Sequence, residues 1–429
     1  MKPKLSKHFK SRKPSVIRQA QIIFSNRKDK HSIQVINVAI GNVSLPMYPK
    51  MKKRMEEIGL THLMDGVLRY TPTVGTKKSR NAFINIISAN VGFKLDRLNC
   101  LVTDGGSQAM EIMMLGVCGP VSKRPLMVLD PSYTNYIEFS NRLSIPLITS
   151  ERYLMENGNF ENFNFNQIED NIKKNNPSGL LIIPYDNPTG QLMEKKDMIR
   201  LAKLCVKYNL WFISDEAYRG LSYKTPFFSN SIWSIDSKKV PGIYGRRISI
   251  ESASKVWNAC GLRIGAIVTD NDDFHEKSVS EYTANLCANS IGQEIFSVLA
   301  DEDFNDINKW INKQRKYYMS LMKKLRQNLI NIIPGLIVSK PQASIYMIID
   351  FRNIVNGNFN AREFVKYCAS KGKVNLNGKY FTLLIAPMER FYMKSEMGRT
   401  QLRLAMVEKE ENIKKIPEIL YSLYISYTN

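Results

Sequence analysis

Lys255 lies in a segment whose side chains could hold an aldehyde that carries a phosphate. The segment Ser252–Lys255 reads Ser-Ala-Ser-Lys, and Arg263 follows eight positions after the lysine, within Gly261–Gly265. A lysine amine forms a Schiff base with an aldehyde, and hydroxyls together with a guanidinium bind a phosphate. The pattern therefore predicts a Schiff-base lysine, although a lone Ser-x-Ser-Lys would be typical of a surface turn.

Four further polar segments each follow a short apolar run that is typical of a buried strand. They are Asp104–Ala109, Asp130–Tyr136, Tyr185–Gly190 and Ser214–Tyr218. In an open α/β sheet, ligands bind beyond the carboxyl ends of the strands. We therefore expect these segments to share one site with Lys255.

Two acids, Asp215 and Glu216, end the apolar run Leu210–Ile213. A desolvated carboxylate is costly unless it is paired. A protonated ring nitrogen would satisfy Asp215, and Tyr218, three positions later, would point at the same ring. The alternative is an acid that caps the next helix.

The other three segments indicate contacts to a phosphate, a ring and an oxygen. Gly105 and Gly106 precede a helix, whose free N–H groups and dipole favour a phosphate. Tyr133 is placed to lie against a flat heterocycle, and Asn187 to hydrogen-bond a ligand oxygen. Taken alone, each segment is explained equally well by a connecting turn, a packed tyrosine or a tight Asn-Pro turn.

The elements that must position these residues form a recognisable pattern. Between about residues 98 and 269, short apolar runs alternate with amphipathic stretches, as in a parallel sheet flanked by helices. The predicted strands are Cys100–Thr103, Leu126–Leu129, Leu180–Pro184, Leu210–Ser214, Arg247–Glu251 and Ile264–Thr269, and the predicted helices are Gln108–Gly116, Asn166–Lys174 and Glu194–Tyr208.

The remainder of the chain has a different pattern. A helical stretch from Ile291 to Leu329 precedes strands at Leu336–Val338, Ile345–Phe351, Thr382–Ile385 and Leu402–Met406 and a helix over Ala361–Lys371. The predicted fold class is α/β, with a large cofactor-binding domain (residues 51–300) whose mostly parallel sheet is sandwiched by helices. Residues 301–429 form a smaller α+β domain, and residues 1–50 form an N-terminal arm and part of that small domain.

In their joint order, these motifs resemble the pyridoxal-phosphate-dependent aminotransferases of fold type I, class I/II, the aspartate aminotransferase superfamily. The likeness covers nearly the whole chain. It implies pyridoxal 5′-phosphate as cofactor and Lys255, Asp215 and Tyr218 as catalytic residues. The implied cofactor-binding residues are Tyr70, Gly106, Ser107, Gln108, Tyr133, Asn187, Asp215, Tyr218, Ser252, Ser254, Lys255 and Arg263.

The resemblance also implies contacts to the substrate and to a second subunit. Arg403 would bind the substrate α-carboxylate, and an arginine in an apolar strand needs such a partner for its paired hydrogen bonds. Gly41 matches the flexible N-terminal segment that closes over the substrate, which Asn187 also contacts. Tyr70 would reach the phosphate in the partner subunit, so the resemblance implies a homodimer.

The implied reaction moves an amino group from an L-amino acid to a 2-oxo acid. The identity of the two substrates stays open, because Ser107 occupies the position of a dicarboxylate-binding lysine and Glu281–Ile295 contains no arginine. Elimination or decarboxylation of amino acids on the same scaffold is an alternative. A non-catalytic role in nucleic-acid binding is a remote one.

The composition sets broad limits on these readings. The chain has 429 residues and a net charge of +22, but its basic residues are spread out, so we expect a generally basic surface and no nucleic-acid partner. No apolar run approaches the roughly 20 residues that cross a bilayer. Scattered cysteines and the lack of a secretory signal favour the cytoplasm, and the histidines form no metal-binding pattern. Ser15 is predicted to begin an amphipathic helix, although the basic start also resembles a targeting peptide.

Overall fold

The computed structural model describes residues 3–12, 15–61, 66–225, 227, 229–355, 357 and 359–429. The α-helices are α1 (Lys7–Ser11), α2 (Val16–Ser25), α3 (Pro49–Thr61), α4 (Lys77–Val91), α5 (Gly106–Cys118), α6 (Thr134–Leu143), α7 (Phe165–Asn175), α8 (Lys195–Lys207), α9 (Asp272–Tyr282), α10 (Ser290–Phe296), α11 (Phe304–Ile332), α12 (Ala361–Ser370), α13 (Glu410–Ile413) and α14 (Ile416–Thr428). The strands are β1 (Ile33–Asn37), β2 (Asn99–Thr103), β3 (Leu126–Leu129), β4 (Leu147–Ser150), β5 (Gly179–Ile182), β6 (Trp211–Asp215), β7 (Arg247–Ser252), β8 (Gly265–Thr269), β9 (Ile337–Val338), β10 (Tyr346–Asp350), β11 (Val374–Leu376), β12 (Lys379–Leu384), β13 (Ala386–Pro387) and β14 (Gln401–Ala405).

A seven-stranded sheet in the order β2-β8-β7-β6-β5-β3-β4 is the centre of the fold. All of its strand pairs are parallel except those of β8, which runs antiparallel to β2 and β7. Phe212 and Ile213, neighbours in β6, belong to different hydrophobic cores, because successive side chains of a strand point to opposite faces. Burial on both faces explains the continuous apolar runs. The predicted fold class and the six predicted strands are confirmed.

Two smaller sheets stand beside the large one. One has the order β1-β12-β11 with β1 parallel to β12, and the other has the order β13-β14-β10-β9. The N-terminal segment thus contributes a strand to a sheet of the C-terminal region. The predicted domain boundaries at residues 50/51 and 300/301 remain a prediction.

The helices agree with the predictions except in one region. The Ser15 hydroxyl accepts a hydrogen bond from the Arg18 N–H and caps α2, as predicted. The predicted helical stretch from Ile291 to Leu329 is divided in the structure into α10 and α11, a break that was not predicted. The Asp303 carboxylate caps the start of α11 by accepting a hydrogen bond from the Asn305 N–H at 2.7 Å, which starts a new helix there.

The described residues contain neither a membrane-spanning helix nor a metal-binding cluster. None of their helices is both long and apolar enough to cross a membrane. They also contain no group of three or more histidine, cysteine, aspartate or glutamate side chains that could hold a metal ion.

Candidate active site

A cavity of about 820 Å³ lies beyond the carboxyl ends of β3, β5, β6 and β7. The parallel strands end at one edge of the sheet, so the polar segments that follow them converge there. The predicted site residues that line the cavity are Gly41, Gly106, Ser107, Tyr133, Asn187, Asp215, Tyr218, Ser252, Ser254, Lys255 and Arg263. Residues that are far apart in the sequence are therefore brought together around one space.

The Lys255 amine lies in the wall of this cavity. Its Nζ donates a hydrogen bond to the Gly41 carbonyl and lies 4.0 Å from the Cys260 sulfur. A Cβ atom on Gly41 would overlap the Tyr346 hydroxyl and lie 3.2 Å from Lys255 Nζ. Only glycine therefore lets this backbone approach the lysine.

A phosphate-sized anion has donors at the start of α5. Gly105 adopts a positive φ of 84° and offers no side-chain cap, so the first N–H groups of the helix, at Gly106 and Ser107, have no acceptor within it. Arg263 is held nearby by a hydrogen bond from Nη1 to the Cys260 carbonyl at 3.1 Å. Helix N–H groups, the helix dipole and a guanidinium together favour an anion here.

A glycine in β8 allows this helix start to approach the sheet closely. A Cβ atom on Gly265 would overlap the backbone of Gly105 and Gly106, and it would lie 2.9 Å from the Glu251 carbonyl. A side chain at position 265 would therefore push the start of α5 away from Ser252 and Ser254, which line the same part of the cavity.

Asp215 is the last residue of β6 and is half-buried at the cavity wall. Its carboxylate accepts hydrogen bonds from the Tyr136 hydroxyl at 2.8 Å and from the Ala217 N–H at 3.2 Å. Desolvation raises the pKa of this carboxyl above its ordinary value, whereas both hydrogen bonds oppose the rise. A cation in the cavity would compensate the desolvated charge.

Arg403 lies fully buried in β14, next to the cavity. Its Nη1 donates to the Asn187 side-chain oxygen at 2.9 Å and its Nη2 to the Ala39 carbonyl at 2.7 Å, whereas its Nε has no hydrogen-bond partner among the described residues. The guanidinium stacks on the rings of Tyr346 (4.3 Å) and Phe391 (4.8 Å). A buried guanidinium N–H without an acceptor would be satisfied by an anionic ligand.

Tyr218 and Tyr346 connect the two halves of the site. Their hydroxyls are 2.7 Å apart. Burial raises the pKa of Tyr218 well above its ordinary value, and the Tyr346 hydroxyl adds to the rise. The Tyr218 phenol therefore stays protonated at neutral pH and has a proton to donate.

Two predicted residues lie elsewhere. Gln108 does not line the cavity: its backbone N–H donates to the Gly105 carbonyl at 3.1 Å, and its side-chain oxygen accepts from the Asp104 N–H. Tyr70 is 78% exposed and does not line the cavity of its own subunit.

The sequence did not point to several residues of the site. Besides Tyr346, these are Arg18, Gln21, Asn37, Asn42, Ser44, Tyr136, Cys260 and Glu408, all of which line the cavity. Tyr136 was expected near the site only as the end of the segment Asp130–Tyr136, and its place three positions after Tyr133, on the same side of a helical turn, was the signal for a role of its own. The others are contributed by separate segments, so only the tertiary fold could reveal them.

A buried group of charges supports the end of β6. Arg219 Nη2 lies 2.7 Å from the Glu216 carboxylate, and its guanidinium donates two hydrogen bonds to Glu251. Desolvation raises the pKa of Glu216 to about 7. Two carboxylates face one guanidinium, so the cluster holds a proton more readily than an exposed glutamate does.

The model of the family described as aminotransferase class I and II matches residues 33–418 of this chain. The chain belongs to that family. Enzymes of this family transfer amino groups between amino acids and 2-oxo acids and use pyridoxal 5′-phosphate.

Relatives of this aminotransferase agree with the match. An aspartate aminotransferase of Sulfolobus acidocaldarius is 25% identical over 398 residues, which cover 91% of this chain and 90% of the relative. A probable kynurenine–oxoglutarate transaminase of Saccharomyces cerevisiae is 24% identical over 307 residues, 67% of this chain and 64% of the relative.

Solved structures share the fold of this aminotransferase. A mutant aspartate aminotransferase of Thermus thermophilus in complex with tryptophan superposes with a TM-score of 0.80 at 18% identity, over 98% of this chain and all of the other. The yeast putative kynurenine aminotransferase has a TM-score of 0.80 at 19% identity, over 99% of each chain.

The residues of the cavity fit the cofactor of the family. Pyridoxal 5′-phosphate needs a reactive amine, an anion site for its phosphate and a carboxylate for its ring nitrogen. This aminotransferase offers Lys255, the uncapped start of α5 with Arg263, and the desolvated Asp215 around one space.

Proposed function

We propose that this aminotransferase moves an amino group from an L-amino acid to a 2-oxo acid through a Schiff base on Lys255. The observation that carries the proposal is that the Lys255 amine and the Asp215 carboxylate face one cavity. Lysine is the only side chain that forms such an imine, and the desolvated Asp215 needs a cation beside it.

The roles of the cofactor-binding residues follow from their positions. Gly106, Ser107, Ser252, Ser254 and Arg263 hold the phosphate at the start of α5, and Tyr133 packs on the ring. Gln108 has its backbone N–H and side-chain oxygen bonded to Gly105 and Asp104, so its side-chain NH₂ is the group left to contact the phosphate.

Asp215, Asn187 and Tyr218 orient the ring. Asp215 keeps a proton on the ring nitrogen. The Asn187 oxygen is occupied by Arg403, so its amide NH₂ and the Tyr218 hydroxyl are the groups that donate to the phenolic oxygen of the ring. Bound pyridoxal phosphate supplies an electron sink, which allows a Cα–H bond to break at neutral pH.

Lys255 and Arg403 act on the substrate. Lys255 Nζ would take the proton from Cα as a general base and deliver it, as a general acid, to the carbon that comes from the cofactor's aldehyde. Arg403 binds the α-carboxylate through its unpaired Nε and a neighbouring N–H, and Gly41 lets the N-terminal segment close over the substrate.

We further propose a homodimer in which Tyr70 reaches the phosphate of the partner subunit. Tyr70 is exposed together with its apolar neighbours Val67 (44%) and Leu68 (55%), and an exposed apolar patch is typical of an interface. Six free cysteines are consistent with a cytoplasmic enzyme of amino-acid metabolism.

The test is to purify the protein, record the visible absorption of the cofactor, and add single amino acids with and without a 2-oxo acid. We expect amino donors to bleach the absorption and an oxo acid to restore it. Lys255→Ala should abolish both the absorption and turnover, whereas Lys207→Ala, which removes an exposed lysine of α8, should change neither. Release of ammonia or carbon dioxide without an oxo-acid acceptor would indicate a lyase or decarboxylase instead.

A further inference from the structure

A cysteine lies beside the reactive lysine in the same cavity wall. Cys260 Sγ is 4.0 Å from Lys255 Nζ, and its thiol donates to the Ser254 carbonyl at 2.8 Å. The side chain is half-buried and lines the cavity, which is open to small molecules. A thiol and an amine therefore share one accessible corner of the site.

This arrangement is specific to Cys260 among the described cysteines. Cys100, Cys205 and Cys368 are buried, and desolvation raises the pKa of each thiol. Cys118 and Cys287 are half-buried, but neither lines the cavity. Burial keeps Cys100, Cys205 and Cys368 from reacting with oxidants, since oxidation depends on the exposure and the thiolate character of a cysteine.

We propose that Cys260 and Lys255 form a covalent S–N link after oxidation by hydrogen peroxide. Peroxide first oxidises the Cys260 thiol to a sulfenic acid and is itself reduced to water. The Lys255 nitrogen then attacks the sulfur, the S–N bond forms, and the hydroxyl leaves as water with a proton from the amine. The flexible lysine side chain covers the remaining distance by rotation.

The S–N link determines whether the Lys255 amine can form an imine. An amine bound to sulfur cannot form an imine, so the linked protein is inactive until a thiol reductant cleaves the S–N bond. This consequence rests on the proposed function, in which Lys255 is engaged by the cofactor at rest and released when an amino donor is added without an acceptor. The donor should therefore accelerate the linkage instead of protecting the enzyme.

The experiment treats the holoenzyme with hydrogen peroxide, with and without an amino donor, and then removes the peroxide with catalase. We expect the intact mass of the polypeptide to fall by about 2 Da, because oxidation adds one oxygen to the thiol and the condensation then removes one water. Trypsin should fail to cleave after Lys255, because the lysine is modified. A thiol reductant should restore the mass, the cleavage and the activity.

Two serine variants and the cofactor-free protein complete the test. Cys260→Ser should stay cleavable at Lys255 and lose activity about tenfold more slowly, whereas Cys287→Ser should behave as the wild type. Normal cleavage at Lys255 with an oxidised, unlinked Cys260 would overturn the proposal. If the untreated enzyme does not transaminate, the proposed function fails, yet the cofactor-free protein still tests the link because its lysine is unoccupied.

Discussion

At the scale of single residues, the site depends on keeping the Asp215 carboxylate ionised although burial desolvates it. Asp215 is desolvated by the cavity wall, and the Tyr136 hydroxyl and the Ala217 N–H both lower its pKa again. A hydrogen bond to a charged group contributes about 1.5 to 3 kcal/mol, more than one between neutral groups. Tyr136 is therefore a positioning residue for Asp215.

Tyr136→Phe should lower kcat by about tenfold, because about 1.5 kcal/mol of charge-assisted hydrogen bonding is lost. Without the hydroxyl the pKa of Asp215 rises, and the carboxylate must be ionised to act. The acid limb of the pH–rate profile should therefore move to higher pH, which steady-state assays from acid to neutral pH would measure.

The matched control is Tyr133→Phe. Tyr133 also lines the cavity, but its hydroxyl is not a hydrogen-bond donor to Asp215. The acid limb of the pH–rate profile of Tyr133→Phe should lie at the same pH as that of the wild type. An equal displacement in both variants would show that the Tyr136 contact does not set the ionisation of Asp215.

The residues that the sequence predicted lie in short segments whose residue types indicate a particular chemistry. Asp215 ends β6, Lys255 comes shortly after β7, and Arg263 lies just before the antiparallel β8, so the sheet brings all three to one edge. The sequence could not show that Gln108 turns its polar groups back to Asp104 and Gly105. It also gave no sign of Tyr346, because this side chain enters the site from another sheet.

At the scale of elements, the decisive contact is between the start of α5 and β8. Gly265 has no room for a side chain because the Gly105–Gly106 backbone occupies that space. The N–H groups at the start of α5 can therefore lie close to Ser252 and Arg263 only because residue 265 has no Cβ atom.

Gly265→Ala should weaken cofactor binding by about 5- to 150-fold, since overlap with backbone atoms costs about 1 to 3 kcal/mol even after relaxation. Titration of the cofactor-free protein with pyridoxal 5′-phosphate, followed by visible absorption, would measure the affinity. Gly261→Ala is the matched control, because a Cβ atom there meets nothing within 4 Å. Equal affinities of the two variants would contradict the role of Gly265.

Many long, strongly patterned elements were predictable, and the short β9 lies within the strand predicted at Leu336–Val338. β11 and β13 were not predicted, because their three and two residues are too few for a periodic signal. β1 pairs with β12, which lies more than 340 positions later, and no local pattern encodes such a pairing. The break between α10 and α11 was missed because the apolar spacing continues across Asp303.

At the scale of the whole molecule, buried acids make stability depend on pH. The pKa of Glu216 rises from 4.5 to about 7 on folding, so the folded state binds more protons between these values. Its contribution to stability is complete below pH 4.5 and is lost as the pH rises through about 7. Asp130 and Asp186, each with a pKa raised by burial to about 6, act in the same direction.

Glu216→Gln should remove about 2 kcal/mol of this pH dependence between pH 5 and 8, because the amide does not ionise. Urea unfolding at several pH values would measure the free energy of unfolding. In Glu56→Gln, on the exposed surface of α3, the free energy of unfolding should change with pH with the same slope as in the wild type. A Glu216→Gln variant with that same slope would show that Glu216 does not titrate in this range.

The proposed dimer predicts that two defective subunits complement each other. Mixed dimers of Lys255→Ala and Tyr70→Ala subunits contain one site with both an intact lysine and an intact partner tyrosine. Random exchange of subunits in a symmetric dimer should therefore restore about a quarter of wild-type activity. Activity no higher than the mean of the two parents would mean that Tyr70 does not act across the interface.

The pairing of β1 with β12 has a consequence for the growing chain on the ribosome. The first strand emerges early, but its hydrogen-bonding neighbour is made about 340 residues later, a wait of about 20 to 70 s at ordinary rates of synthesis. During that interval the nascent protein carries a strand with an unsatisfied edge. The backbone at Gly41 can therefore reach its place beside Lys255 only after β12 has been synthesised and has paired with β1.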